Sequence, residues 1–269
     1  MNPALRRWVF LAGLAGLVAF YLWGLTGLPP FGHYHGPYGN VINRIAVGQT
    51  NATAVVSAVN FDYRAIDTLG EEFILFIAAA GVGTVLRHLR DEREQEAGES
   101  GGEGAETDRP AGRATGTDSQ DVPAPTDATR LAALIMVGPA VLVGWYLAAH
   151  AQTSPSGGFQ GGVVLATAFI LIYLAGQFLI FRRLSPVDVT DAVEAVGAGG
   201  FAAVGLIAVF LGLAFLANYL PLGGYPGAVS SSGTIALISF LVGLEVAAAF
   251  ILIVSELLDQ ALLIRQEDR

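Results

Sequence analysis

Residues 60–72 read Asn-Phe-Asp-Tyr-Arg-Ala-Ile-Asp-Thr-Leu-Gly-Glu-Glu. Asp62, Asp67, Glu71 and Glu72 thus lie close together around the guanidinium of Arg64, just ahead of an apolar run. Carboxylates at a membrane boundary collect cations and pass protons. They also suit a helix N-terminus, where the macrodipole favours negative charge. Asp67-Thr68-x-x-Glu71 fits a capping box opening the helix that follows. Cap and ion path weigh equally for Glu71, whereas Glu72 is read as facing headgroups or a protein interface. Asp62 and Arg64 lie upstream of any cap; Arg64 pairs with Asp62 or with Asp67.

A second pair of acids, Glu245 and Glu256, lies in the last apolar stretch. On a helix, residues eleven apart share nearly one face and stand roughly 16 Å apart along the axis. An ionisable group in mid-membrane is costly unless it faces protein or water, so Glu245 is a functional candidate by default. Glu256 reads as an interface residue. The histidines carry less: His33 and His35 flank Tyr34 in a Gly/Pro-rich loop and offer two ligands without a third, while His150 ends an apolar run. Cysteine is absent, which removes disulfides, thiolate metal sites, iron–sulfur clusters and Cys nucleophiles together. No catalytic residue, resident metal, cofactor or nucleic-acid partner is expected, and the chain is read as a non-enzyme.

What positions these acids is a set of apolar helices. The 269 residues are 53% hydrophobic and 14% charged, with mean hydropathy +0.56; soluble domains carry about 25% charge. A span needs about 20 apolar residues, and six stretches qualify: 8–27, 70–86, 131–149, 162–181, 199–217 and 233–258. The fold class is therefore all-α, a polytopic membrane protein with six transmembrane helices arranged 2 + 4. Arg6 and Arg7 precede the first stretch, Arg87, Arg90 and Arg93 follow the second, and Arg130 precedes the third. Arg182 and Arg183 follow the fourth, and Arg265 follows the sixth. This bias places both termini in the cytoplasm of a multi-pass cell-membrane protein. The first stretch is read as a retained helix rather than a secretory signal, since no A-x-A site follows it.

Residues 91–129 are rich in Gly, Glu, Asp, Pro and Thr, and 91–127 hold eleven acids against three Arg. Such a segment buries too little surface to offset its ordering entropy, so it reads as a disordered cytoplasmic linker. It divides the chain into a two-helix module, 1–90, and a four-helix module, 130–269. All basic residues are Arg and the net charge is −9, a balance suited to a salt-rich cytoplasm, where screening relieves carboxylate repulsion.

Residues 154–162 read Ser-Pro-Ser-Gly-Gly-Phe-Gln-Gly-Gly. Gly157/Gly161 and Gly158/Gly162 form two overlapping G-x-x-x-G pairs, the pattern that lets helices approach closely. No Gly-Lys-Ser/Thr follows, so this is not a phosphate loop. The stretch, with Phe159 at its centre, resembles the P-G-G-G-F-x-G-G motif of the MnhB/MrpB family, the B-type component of Mrp-type multi-subunit Na+/H+ antiporters; Ser156 stands for the first family glycine. The resemblance covers 131–258. Asp62, Arg64, Asp67, Thr68, Gly70 and Glu71 are similar to the D-x-R-G-x-D-T-x-G-E signature found near the C-terminal end of the large MrpA-type component of those antiporters and in the small E-type components of membrane-bound hydrogenases. Ala65 departs from its glycine. Asn51, Val55, Val56 and Val59 fit the run before it, and this likeness covers about 31–86.

The resemblance implies a membrane subunit of a monovalent cation (Na+)/proton antiporter, packed laterally through its glycines among other antiporter subunits. Asp62, Arg64, Asp67, Glu71 and Glu245 are its ion-path residues, and Gly157, Gly158, Phe159, Gly161 and Gly162 its packing motif. Na+, H+ and the lipid bilayer are the implied partners. Two alternatives share the same modules: an accessory subunit of a complex I-like or hydrogenase-like ion-pumping oxidoreductase, and a purely structural scaffold.

Overall fold

The computed structural model describes residues 3–28, 36–99, 125–176 and 178–267. Among them there are helices and no strands: α1 Pro3–Thr26, α2 Pro37–Thr50, α3 Val55–Ala58, a π-turn Val59–Tyr63, α4 Ala65–Glu99, α5 Asp127–Ala149, α6 Gly158–Leu174, α7 Phe178–Leu184, α8 Val187–Phe210 and α9 Thr234–Glu267. Five helices, α1, α4, α5, α8 and α9, are long and apolar enough to cross a membrane. The shorter apolar α6 is the remaining candidate. The protein is a multi-pass membrane protein.

The expected spans fall within these helices, with three informative differences. The stretch expected at 162–181 is broken. α6 ends at Leu174, and Gly176 adopts φ +78, a left-handed conformation that stops a helix. The stretch expected at 199–217 begins a full three turns earlier, at Val187 behind Pro186, and stops before Gly212 at φ +77. Proline ahead of the first helical residue is well placed there, since its missing N–H would have had no partner. Finally, α4 continues through Glu99, because 91–99 are mostly good helix formers despite their charge. Residues 100–124 of the expected linker, and His33 and His35, lie outside the described residues.

Two compact units are present, Met1–Val41 and Ile42–Arg269. In the first, the described side chains of α1 are exposed, including Trp8, Phe10, Phe20 and Trp23. In the second, α9 is the hub and packs against α4, α5, α6 and α8. Its apolar span is 61% buried, against 17% for α4 and for α5, so those helices turn most of their surface to what surrounds the unit. The core around α9 contains Phe201, Val204, Ile235, Ile238, Val242 and Val246, and α2, α3 and the π-turn add Ile42, Ala58 and Phe61.

The loops at the start of α9 are stitched together. Ala54 N–H donates to Gln152 O at 3.1 Å, Thr53 Oγ1 to Thr153 O at 3.0 Å, Asn51 Nδ2 to Gly223 O at 3.2 Å and Ser231 Oγ to Asn51 O at 3.1 Å. Asn218 Oδ1 accepts from Thr234 N–H at 2.8 Å and its hydroxyl at 3.0 Å, which satisfies an orphan donor of the first turn of α9.

Candidate functional site

Three glutamates from three helices form the buried centre of the second unit. Glu72 of α4 is 2% exposed, Glu194 of α8 is 5% exposed and Glu245 of α9 is 0% exposed. The carboxyls of Glu72 and Glu245 are near enough to share a hydrogen bond once either carries a proton, and Glu194 is near enough to Glu245 for their charges to interact. No N–H or O–H donor reaches Glu72 Oε2, either oxygen of Glu245, or Glu194 Oε1. Buried acceptors without donors are expensive. A proton shared between the Glu72 and Glu245 carboxyls would supply the missing donor.

At 1.5 Å per residue, Glu72 lies about 10 Å along α4 from Ala65 and Glu245 about 16 Å along α9 from Thr234. Glu194 lies about 10 Å along α8 from Val187, and α8 runs antiparallel to α9, with Gly197 beside Leu241 and Glu245. Glu194, one turn before Gly197, therefore lies on the α8-start side of Glu245. Asp191, one turn nearer the start of α8, interacts electrostatically with Glu194. Glu256 (5% exposed) and Asp259 (9%) lie further along α9, with Arg182 of α7 3.9 Å from Asp259.

Glycines permit this approach. A methyl at Gly197 would lie 2.6 Å from Glu245 Cβ and 2.8 Å from its N, so the bare backbone of α8 lets it sit against the carboxylate-bearing turn of α9. The motif at the start of α6 divides by face. Gly158 and Gly162 pack on α9, with a Cβ at Gly162 only 2.7 Å from Gly243 O and from Val246 Cβ. Gly161 instead faces α5, at 2.7 Å from Gly144 O and Ala148 N.

Gly157 and Phe159 have another place. With Gly158, Gln160, Ser156 and Val242 they line a cavity of about 290 Å³ that is also lined by Val56, Ser57, Asn60, Phe61, Thr68, Glu71 and Glu72. Both the exposed Glu71 and the buried Glu72 line it.

The remaining expected residues lie upstream of α4 or in its first turn. Arg64 pairs with Asp67, both half exposed. Asp62 accepts a hydrogen bond from the backbone N–H of Asn218. Helix α4 already starts at Ala65, so Thr68 and Glu71 do not open it and the expected capping box is replaced. Arg64 occupies the cap position, and Asp67 supplies the acid of the first turn. Glu72, read from the sequence as facing headgroups or an interface, instead turns inward onto Glu245.

Burial pushes the Asp62 carboxyl above its ordinary range, and the Asn218 N–H bond opposes this in part. A carboxyl raised in the folded state binds protons there that the unfolded chain has released. Its ionisation therefore destabilises the fold as pH rises from the ordinary aspartate range through the raised value. Asp62→Asn is expected to raise the melting temperature at neutral pH and to leave it unchanged below pH about 3.9, the unperturbed aspartate pKa. A lower melting temperature at neutral pH would mean that the Asn218 bond dominates.

Comparisons with known proteins agree with this architecture. Residues 128–252 match the family described as a domain related to the MnhB subunit of Na+/H+ antiporter. An uncharacterized protein of Methanocaldococcus jannaschii is 27% identical over 249 residues, covering 87% of each chain. Among solved structures, a chain of the membrane-bound sulfane sulfur reductase, an archaeal respiratory membrane complex, superposes with TM-score 0.67 at 26% identity, covering 94% of this chain and 98% of that one. A chain of the Mrp complex from Dietzia sp. DQ12-45-1b shares the fold at TM-score 0.67 and 24% identity; the match covers 94% of this chain and 26% of that one.

Proposed function

Since the chain carries over residues 128–252 a domain related to the MnhB subunit of Na+/H+ antiporters, we propose that it is a non-catalytic membrane subunit of a multi-subunit cation/proton antiporter. In this reading it docks among larger subunits and supplies part of the ion path. The observation that carries the ion-path role is the donor-free set of glutamates, Glu72, Glu245 and Glu194, buried on three helices that pack together. Carboxyls in such a set exchange protons with one another and with water. Na+ and H+ are the proposed cargo, and both termini face the cytoplasm, as the arginine distribution indicates.

Of the residues expected from sequence, Glu245 and Glu71 lie in or beside this path. Asp62, Arg64 and Asp67 shape the turn that leads into α4 and are given a positioning role. Similarity to multi-subunit membrane complexes supports a hetero-oligomeric setting.

A second reading follows from the likeness to the respiratory complex, which extends over almost the whole of both chains. The same subunit would then serve an ion-pumping oxidoreductase, with redox chemistry housed in other chains. Mild-detergent purification with mass identification of the partners separates the two. Antiporter-like subunits without redox proteins support the exchanger; iron–sulfur subunits move the chain to the oxidoreductase. In either complex, Glu194→Gln is expected to lower proton-coupled transport in proteoliposomes with assembly intact, and full transport would remove Glu194 from the path.

A further inference from the structure

We propose that Arg130, at the start of α5, holds the phosphate of an anionic membrane lipid whose tails lie along the exposed face of that helix. Its guanidinium is a cation set into the protein without a partner. Nη2, Nε and Cζ lie 3.6, 3.7 and 3.8 Å from where a β-carbon on Gly176 would stand, so the group rests against the left-handed glycine that follows α6. Nε is buried and has no hydrogen-bond partner. Among the described residues no ion pair engages the guanidinium, although Asp127 lies three residues earlier on the same helix. A buried donor of a charged group left unmade is costly.

The C-terminal end of α6 attracts a cation through its dipole, which accounts for where the side chain lies. It supplies no acceptor for Nε. A guanidinium carries five N–H donors in a planar fork that matches phosphate oxygens. The start of α5 does not itself call for an anion, since Thr126 Oγ1 already accepts from the Thr129 N–H at 3.2 Å. The need for a ligand therefore rests on the arginine.

Depth and surroundings select a lipid. Arg130 stands about 28 Å along α5 from Ala149, against roughly 30 Å of bilayer hydrocarbon. It therefore meets the headgroups where the helix enters the membrane. Leu134, one turn further along the same face, is exposed, as are Leu131, Ile135 and, at the end of α6, Leu174. A cation at headgroup level beside uncovered apolar side chains has the two-part chemistry of a phospholipid. A carboxylate from a partner subunit would satisfy only the charged part. The site is independent of the carboxyl path and holds whichever complex the chain serves.

The sequence holds no cysteine, so Leu134→Cys gives this chain a single position for a thiol-reactive fluorophore, with the unsubstituted complex as the blank. The labelled complex is reconstituted in vesicles of phosphatidylcholine and phosphatidylglycerol, one or the other brominated, and quenching reports which lipid occupies the site. Phosphatidylglycerol is expected to be favoured about fivefold, the scale of one basic residue near an anionic headgroup. Arg130→Gln should bring the ratio to about one, and Arg130→Lys should keep a preference. Asp127 is exposed, so Asp127→Lys carries the test if Arg130→Gln does not assemble, and is expected to raise the ratio. An unchanged ratio in Arg130→Gln or in Asp127→Lys, or equal occupancy in the native background, overturns the site. Quenching by neither lipid would mean that protein covers this face, and loss of the preference on adding inorganic phosphate would make the ligand a free anion; either result overturns the lipid.

Discussion

Glu245→Gln is expected to lower proton-coupled cation exchange in reconstituted proteoliposomes by about 10²-fold, the lower end of what a positioned proton-transfer group contributes, while the complex still assembles. Glutamine keeps the shape and offers an N–H donor to Glu72 and Glu194, but it cannot take up and release a proton. Glu245→Leu is the more demanding version. Leucine removes the cost of burying an ionisable group and its repulsion from Glu72 and Glu194. The leucine variant should therefore melt at least as high as the native protein and transport no better than the glutamine variant. Gly197→Ala reaches the same residue from the other side: its methyl would meet the Glu245 backbone and part α8 from α9, so exchange should fall with both carboxyls still present. Native exchange rates in the glutamine and leucine variants would reduce the chain to a scaffold.

The second large effect is on stability. At Gly162 a β-carbon would sit 2.7 Å from Gly243 O and 3.0 Å from Ala247 N. Both are main-chain atoms of α9, so relief requires moving a helix and not a rotamer. Gly162→Ala is expected to cost about 1–3 kcal/mol, the usual range for overpacking a core, read as a lower melting temperature in detergent. Gly162→Leu should prevent docking of α6 on α9 and yield aggregated material on size exclusion. Gly199 is the matched control, because nothing lies within 4 Å of a β-carbon there; Gly199→Leu should behave as native. Equal stability of both leucine variants would show that α6 does not depend on this close approach.

Which residues can be read from sequence alone follows from physical locality. The all-helical class, the apolar stretches and the glycine pairs are properties of contiguous residues, and hydropathy or spacing reveals them directly. Glu245 stands out because it lies inside an apolar run. Glu194 does not, because Asp188, Asp191 and Glu194 lower the hydropathy of the first turns of α8, so a span placed by hydropathy begins at Gly199 and leaves Glu194 outside. The usable signal is Pro186, which marks the true helix start. Glu72 is misread because its role depends on a residue 173 positions away on another helix. Helical phase places Glu71 and Glu72 on different faces, but only the docking of α4 on α9 decides which face is inside. The capping box fails for a similar reason: the turn at Val59–Tyr63 starts α4 earlier than the local pattern of Asp67, Thr68 and Glu71 suggests.

The hub position of α9 has a consequence for biosynthesis. Ribosomes complete α4, α5, α6 and α8 before α9 exists, yet each of them packs on α9 in the finished unit. During that interval Glu72 and Glu194 occupy the bilayer without Glu245, and the α9-facing glycine face of α6 has nothing to dock on. Nascent chains stopped before Thr234 should therefore stay associated with insertion machinery or be degraded. The arrival of the last helix turns a loose set of inserted spans into a packed subunit, making synthesis of α9 the quality-control step.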